Sequence, residues 1–463
     1  MSRFRFRLKR PFVGNRIFHF DLKGAAPKVA YFKEMFAFLK TIGATGILIE
    51  WEDMFPYEGI LADVRNGNAY TKKEIATILN WAVEYELDII PLVQTFGHLE
   101  WILKLEKFAK YRQVERYPQV ICLADDEAVD LVKTALNQVL AVHREFPMPF
   151  FHIGADEAFQ VRLGDLIEPV VWNYAENLDD QLYPDMWERF GTVFPFIWGA
   201  SAFKGADGPS RFYSNVPHYL ANHRSWISQM TTAYKSFKQF RGLILTGWQR
   251  FDHFAILCEL LPVGLMSAAI NFITIKKGHY DRSVLREAST LMDCSNTIDI
   301  DAQGIAGYCN FPGSKVYQEV QQLKSALDQT NENVHKDYQV RGWLTPFNIK
   351  HNYSQAWYLD QLLDKVNMHI TDLEAIAQAL RKDMEPIFFA DTIDEFLFEY
   401  LEPGLKELHV LREGAIRLGA TKYFGLRPFK INSILEQRKE EKKVLESGAR
   451  MPPANVGDRE TRR

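Results

Sequence analysis

Short apolar runs alternate with amphipathic stretches through the first 277 residues, and no other feature restricts the fold as much. Arg16–Asp21 (RIFHFD) reads as a strand. Pro27 then suits the first turn of a helix on which Val29, Phe32, Met35, Phe36 and Leu39 recur at helical spacing. Thr45–Glu50 (TGILIE) is a second strand, ending in the polar, aromatic loop Trp51–Tyr57. Thr71 and Glu74 frame a capping box that opens a helix with Ile75, Ile78, Leu79 and Ala82 inward. Asp88–Gln94 is a third strand, ending at Thr95–Glu100. A helix from about Asp126 to Glu145 turns Val129, Val132, Leu136, Val139 and Leu140 inward. Pro149–Glu157, Leu166–Trp172, Val193–Trp198 and Leu243–Trp248 complete seven strands. The pattern predicts parallel β/α units of a (β/α)8-type TIM barrel, with polar residues at the carboxyl ends of strands, where loops surround a ligand.

Such a barrel needs eight strands, and the shortfall has a definite location. Only Ala158–Gly164 separates Glu157 from the next strand, whereas a parallel crossover with a helix takes at least about a dozen residues. The expectation is an incomplete barrel over residues 1–277, with one strand-helix unit absent at this point. Long amphipathic stretches (Lys315–Gln329, Gln355–Leu380, Ile393–Leu418) predict a helical region over 278–435 that caps the barrel structurally. Residues 436–463 are charged, contain Pro452-Pro453, and read as a disordered tail.

Of the 463 residues, 47% are hydrophobic and 25% charged, and the formal charge of -4 is spread over both signs, which argues against a nucleic-acid partner. No apolar run is long enough to span a bilayer, so no membrane partner is expected. The start, Met1–Arg10, alternates basic and apolar residues and lacks the apolar core of a secretory signal, which points to the cytosol or nucleus. The four cysteines form no C-x-x-C pair and are expected as reduced thiols.

The organising stretch is His152-Ile153-Gly154-Ala155-Asp156-Glu157, a buried strand that delivers two adjacent carboxylates. Asp125-Asp126 and Asp179-Asp180 are also acidic doublets, but their polar surroundings make them solvated faces. Glu50, Glu52, Asp53, His98, Glu100, Trp172, Tyr174, Trp198, Trp248 and Arg250 fall near other strand ends. Without a glycine-rich phosphate loop, carboxylates and indoles suit a sugar: indoles take the C–H faces of a pyranose and carboxylates take its hydroxyls. Taken singly, each tryptophan is better explained by the core, whereas several at the same kind of strand end point to a sugar platform. Neighbouring carboxylates cannot easily flank a scissile bond as paired glycosidase carboxylates do. They suit substrate assistance, with Glu157 as acid and base, and Asp156 holding an acetamido N–H whose carbonyl oxygen attacks the anomeric carbon. Glu157 would then need a raised pKa. A two-carboxylate scheme pairing Glu157 with Glu50 or Glu100 stays open. A metal or other cofactor is not expected, because His19-Phe20-Asp21 and His98-Leu99-Glu100 offer ligands of the right type without a complete set.

His152–Glu157 resembles the H-x-G-x-D-E signature of glycoside hydrolase family 20, the β-N-acetylhexosaminidases, and the similarity extends to Thr95–His98, Trp172–Glu176 and Leu245–Arg250. The resemblance implies that Asp156 polarises the acetamide and that Glu157 is the acid/base. It implies that His98 bonds that glutamate, with Glu52 as the histidine's acidic partner. By the same resemblance Tyr174 donates to the acetamido oxygen and Trp248 walls the pocket; Trp172 and Trp198 are further candidate sugar contacts from their place at strand ends. It also implies N-acetylated amino-sugar glycosides as ligands, a preference for the galacto epimer, and leaves room for a homodimer. Two departures stand out. The first strand lacks the family's arginine, for which Asp21, Lys23 or Arg250 would substitute, and the unit missing after Glu157 would have carried a tryptophan of the acetamido pocket. A non-catalytic carbohydrate-binding chain, or an inactive shortened form, is the alternative reading.

Overall fold

The computed structural model describes residues 12–156, 167–300 and 308–429. Glu157, the short connection after it and the charged tail from residue 436 lie outside the described residues. The described residues form two compact units, one within Met1–Thr330 and His369–Glu407, the other within Asn331–Met368 and Leu408–Arg463.

The first unit is built on β/α alternation. β1 (Asn15–Asp21), α1 (Val29–Ile42), β2 (Gly46–Glu50), α2 (Lys72–Glu84) and β3 (Asp88–Leu92) follow the predicted order. Next come α3 (Glu100–Leu103), a hairpin of β4 (Arg112–Val114) and β5 (Tyr117–Ile121), and α4 (Asp126–His143). After residues 150–156 the order is β6 (Val170–Trp172), α5 (Pro184–Gly191), β7 (Phe196–Lys204), α6 (Val216–Ala233), β8 (Gln239–Gly247) and α7 (Leu261–Lys277). The parallel sheet runs β3-β2-β1-β8-β7-β6. Residues 152–154 extend it beyond β3: His152 bridges Leu92, and the amides of Val93 and Thr95 donate to the carbonyls of His152 and Gly154. Seven parallel segments are thus present. Among the described residues no ladder joins 150–156 to β6.

β2 is buried on both faces, which is why it reads as an unbroken apolar run. The strand interiors meet in a cluster of Ile17, Leu48, Ile90, Leu92, Trp198, Ala200 and Ile244, with Phe150 and Val170 packed against it. Each buried aliphatic chain there contributes about 1.5–3 kcal/mol. Phe150 sets its ring edge against Trp198 at 5.1 Å, so the two unladdered sides approach through side chains.

Three expectations need correction. β7 runs to Lys204, six residues past Trp198, because the small residues after Trp198 are strand and not loop. A Cβ at Gly199 would stand 2.8 Å from Trp226, so the close approach of α6 requires a glycine there. The buried stripe of α4 is Ala128, Leu131, Val132, Ala135 and Val139, rotated from the expected face, and Leu140 is exposed. Finally, Cys294 and Cys309 are joined as a disulfide, so only Cys122 and Cys258 are free.

The capping box of α2 is present, with Ile75, Ile78, Leu79 and Ala82 all buried. The helical continuation comprises α8 (Arg282–Leu291), α9 (Ser314–Thr330), α10 (Tyr338–Trp343), α11 (Pro346–His351), α12 (Ala356–Met384), α13 (Ala390–Tyr400) and α14 (Glu402–Gly419). No helix among the described residues is long and apolar enough to cross a membrane.

Candidate active site

The sheet register brings the strand ends to one level. Asp21 pairs with Glu50, and Glu50 with Leu92, so side chains just beyond these positions share one face. β1 lies beside β8, which carries Trp248 and Gln249 past its end to the same face. There Gln249 N donates to Asp21 Oδ2 at 2.8 Å.

Lys23 is the centre of charge. Its Nζ lies 3.1 Å from Asp21, 3.5 Å from Glu52 and 4.0 Å from Glu50, and 5.4 Å from the Trp248 ring centroid. Burial opposes its charge, but the carboxylates of Asp21, Glu50 and Glu52 outweigh burial and hold its pKa well above the ordinary lysine value. Glu50 also accepts from Gln94 Nε2 at 2.8 Å and lies 3.2 Å from His19 Nε2. Burial would raise its pKa, yet Lys23, His19 and Gln94 bring it well below the ordinary range.

Gly154 explains part of the organising motif. It has φ +50°, and a Cβ there would fall 2.4 Å from Gln94 Oε1. A side chain would therefore push away the amide that holds Glu50. One residue earlier the strand is exposed at Ile153, and His152 Nδ1 accepts from Gly154 N at 3.0 Å. Burial lowers the His152 pKa, with Asp156 and Glu50 opposing.

Asp156 is half-buried at the end of the described segment. Its charge acts on Tyr174, whose pKa is pushed up to about 12 by burial first, with Asp156 and Glu50 adding to the rise. Trp248 Nε1 donates to Tyr174 Oη at 3.2 Å, and the phenol is also bonded to the Thr246 hydroxyl, which itself donates to Ser201 O. Trp172 stacks on Tyr174 at 5.3 Å and is 48% exposed, and His19 sets its edge on Trp248 at 4.8 Å.

Other predicted residues sit differently. Glu52 adopts φ +43° on a short 3-10 turn and shares its carboxylate between Lys23 and His253 Nδ1 (3.2 Å). Burial and Glu50 push its pKa up to about 7 against those two cations. His98, half-buried with φ +54°, acts electrostatically on Glu100, whose pKa burial raises. Arg250 forks onto Glu395 of α13 and donates to the carbonyls of Gly24 and Ala255. Asp21 is committed to Lys23 and Gln249. Trp198 lies in the core near the amino end of β7 and donates to Glu168 at 2.8 Å.

Sequence reasoning missed His253. It reaches Glu52 at 3.2 Å and Asp53 at 3.4 Å, and these carboxylates overcome its burial to lift its pKa to about 9. Lys104 joins Asp53 at 3.2 Å. Neither residue lies near a strand run in the sequence, so neither carries a signal there. Among the described residues, no group of three or more His, Cys, Asp or Glu is arranged to hold a metal ion.

Comparison with known proteins bears on this face. The profile of "Glycosyl hydrolase family 20, catalytic domain" matches residues 22–249, from the end of β1 to Gln249. Hexosaminidase D of Homo sapiens is 32% identical over 471 positions, covering 88% of this chain and 95% of that protein. Hexosaminidase D of Bos taurus is 35% identical over 343 positions, covering 61% of this chain and 97% of that protein. The first alignment is longer than the 463-residue chain although it uses 88% of it, so the human protein has segments that this chain lacks. A solved Streptomyces plicatus N-acetyl-beta-hexosaminidase superposes with TM-score 0.45 at 13% identity, covering 61% of this chain and 68% of that one. On the profile match and the near-complete coverage of the two relatives, the chain belongs to glycosyl hydrolase family 20 and is a glycoside hydrolase.

Proposed function

We propose that the chain is a retaining exo-β-N-acetylhexosaminidase that releases terminal N-acetylgalactosamine or N-acetylglucosamine with the substrate's own acetamide as nucleophile. The relatives named hexosaminidase support the substrate class. The observation that carries the mechanism is Tyr174: its hydroxyl accepts from Trp248, keeps its proton at neutral pH, and stands within the field of Asp156. An acetamido group placed there gives its N–H to Asp156 and takes the Tyr174 proton as a hydrogen bond on its carbonyl oxygen. Trp248 and the Trp172–Tyr174 stack offer aromatic faces to the methyl group and the ring.

In this scheme Glu157 gives its proton to the glycosidic oxygen as the C1–O bond breaks. The acetamido oxygen bonds to C1 from the opposite face, forming an oxazolinium ion whose positive charge Asp156 stabilises. Water, deprotonated by Glu157, then opens that ring at C1. Two inversions leave the anomeric configuration retained. The roles of Asp156 and Glu157 are those implied by the resemblance of His152–Glu157 to the family signature.

Aryl N-acetyl- and N-trifluoroacetyl-hexosaminides test the scheme. The fluorinated carbonyl is the weaker nucleophile, so kcat should fall steeply with fluorination. Equal rates on both would reject substrate assistance in favour of a protein nucleophile. The same assay on galacto and gluco epimers reads the proposed galacto preference. Fractionation of cells expressing the tagged full chain tests action in the cytosol or nucleus, a reading with which the Cys294–Cys309 disulfide is at odds.

A further inference from the structure

The end of β7 holds a buried pair that the scheme above does not use. Lys204 is the last residue of β7, and Glu259 lies on the connection between β8 and α7; both are fully buried. Each side chain holds the main chain beside the other. Lys204 Nζ donates to Glu259 O at 2.8 Å, and Gly205 N donates to Glu259 Oε2 at 2.6 Å. Tyr219 Oη of α6 donates to Glu259 Oε1 at 2.9 Å. The loops that follow β7 and β8 are thereby clasped together.

Two further bonds carry the clasp to the site. Lys204 Nζ donates to Trp248 O at 2.6 Å and to Gln249 Oε1 at 3.1 Å. The β7–β8 ladder ends with Lys204 beside Gly247, so Trp248 lies just past the last pair. Its indole meets the Tyr174 hydroxyl and the His19 ring. Gly205 has φ +71°, and a Cβ there would fall 2.0 Å from Trp248 O, so only glycine lets the two loops come this close.

Stability alone does not account for a lysine at this place. A buried charge is costly, and an apolar side chain of similar volume often serves the fold as well or better. Burial lowers the Lys204 pKa and pushes that of Glu259 up to about 7. The three ammonium protons are matched by three neutral oxygens, two carbonyls and one side-chain amide. Direction is therefore what the lysine contributes and an apolar chain would not. Helix α7 confines its stem: a Cβ at Gly264 would stand 2.7 Å from Lys204 Cδ.

We propose that Lys204 and Glu259 are positioning residues, which fix the main chain at Trp248 and, through it, the indole that meets Tyr174. The inference rests on the hexosaminidase reading, in which that indole walls the acetamide and the acetamide must be aimed at C1 for the ring to form.

Fluorine NMR of the full chain labelled with fluorotryptophan tests it. The ten tryptophans give one resonance each, and Trp248→Phe identifies that of Trp248. Lys204→Met removes the donors. Gly264→Ala presses on the lysine stem without changing a charge, in a helix that alanine suits better than glycine, and decides the matter if Lys204→Met does not fold. In folded variants, checked by thermal melting, the Trp248 resonance should shift or broaden while most others keep their positions. On an aryl N-acetylhexosaminide kcat should fall about 10- to 100-fold, the scale of a misplacement of about 1 Å, with KM changed far less. Mere loss of folded protein would weaken every resonance together and leave the kcat of the remaining folded enzyme unchanged. An unmoved Trp248 resonance in a folded variant, or a moved one with kcat unchanged from an active native chain, overturns the proposal. A moved resonance in a chain that turns over no N-acetylhexosaminide, native or variant, keeps the clasp and rejects the hexosaminidase reading instead.

Discussion

The two sides of the candidate site are built differently. At the ends of β1, β2, β3 and β8, Asp21, Lys23, Glu50, Glu52, Gln94 and Gln249 are buried and bound to one another. On the other side, Asp156 ends an unladdered segment, β6 is three residues long, and Trp172 is about half exposed. Central strands have neighbours on both sides, so their carboxylates can be desolvated and still paired. Residues near a sheet edge lack that enclosure. The central group is therefore a charged scaffold, whose loss should appear in stability and pH dependence, and the edge group is where the acetamide is expected, whose loss should appear in turnover.

Six substitutions test that division. Glu157→Gln and Asp156→Asn should each lower kcat by about 10²–10⁴-fold, the first most severely on poor leaving groups and the second on all substrates, with melting little changed. Steady-state kinetics on aryl glycosides of differing leaving-group pKa reads both. Lys23→Met strands three buried carboxylates and should cost about 3–5 kcal/mol of stability by urea denaturation. A stable Lys23→Met chain with selectively impaired catalysis would break the comparison. Tyr174→Phe keeps the ring and removes the donor, so kcat should drop about 10²–10³-fold without loss of stability.

His253→Gln addresses pH. The pKa of His253 is lifted to about 9, above its ordinary value of 6.5. The stabilisation from its pairing is therefore complete below about pH 6.5 and is lost as pH rises to about 9. Glu52, pushed up to about 7 from 4.5, makes stability fall with rising pH in the same sense between those two values. The native chain should lose on the order of 2 kcal/mol along the His253 limb, and the variant should show that limb flattened in melting measured from pH 6 to 9. The smallest effect is expected from Trp172→Ala. This exposed stacking residue should alter KM by a few fold, worth about 1 kcal/mol.

Much of the fold is legible in the residue pattern, because burial on both faces of a parallel strand leaves an unbroken apolar run and the intervening helices keep their period. The need for Gly154 is not legible there, because it arises from its φ of +50° and from Gln94 packed behind it. The boundary of β7 and the face of α4 differ from expectation for one reason: glycine, alanine and serine carry almost no hydropathy signal, yet they continue β7 beneath α6 and make up part of the buried stripe of α4. At the site, the motif pointed to Asp156 and its neighbour, and the strand ends to Glu50, Tyr174 and Trp248. Which carboxylate meets which cation was not legible. His98 and Glu52 were expected as partners, but Glu52 turns to Lys23 and His253, and Arg250 is held by Glu395.

What the chain order alone settles is the parallel β/α architecture, its shortened connection after Glu157 and the family motif, because strand and helix periods and loop lengths are local properties. What only folding in three dimensions decides is the pairing of charges. Glu52 links Lys23 to His253, which lies 201 residues after it along the chain, and the charge of each is set by the others. That choice depends on register and side-chain reach, which no local pattern of residues encodes.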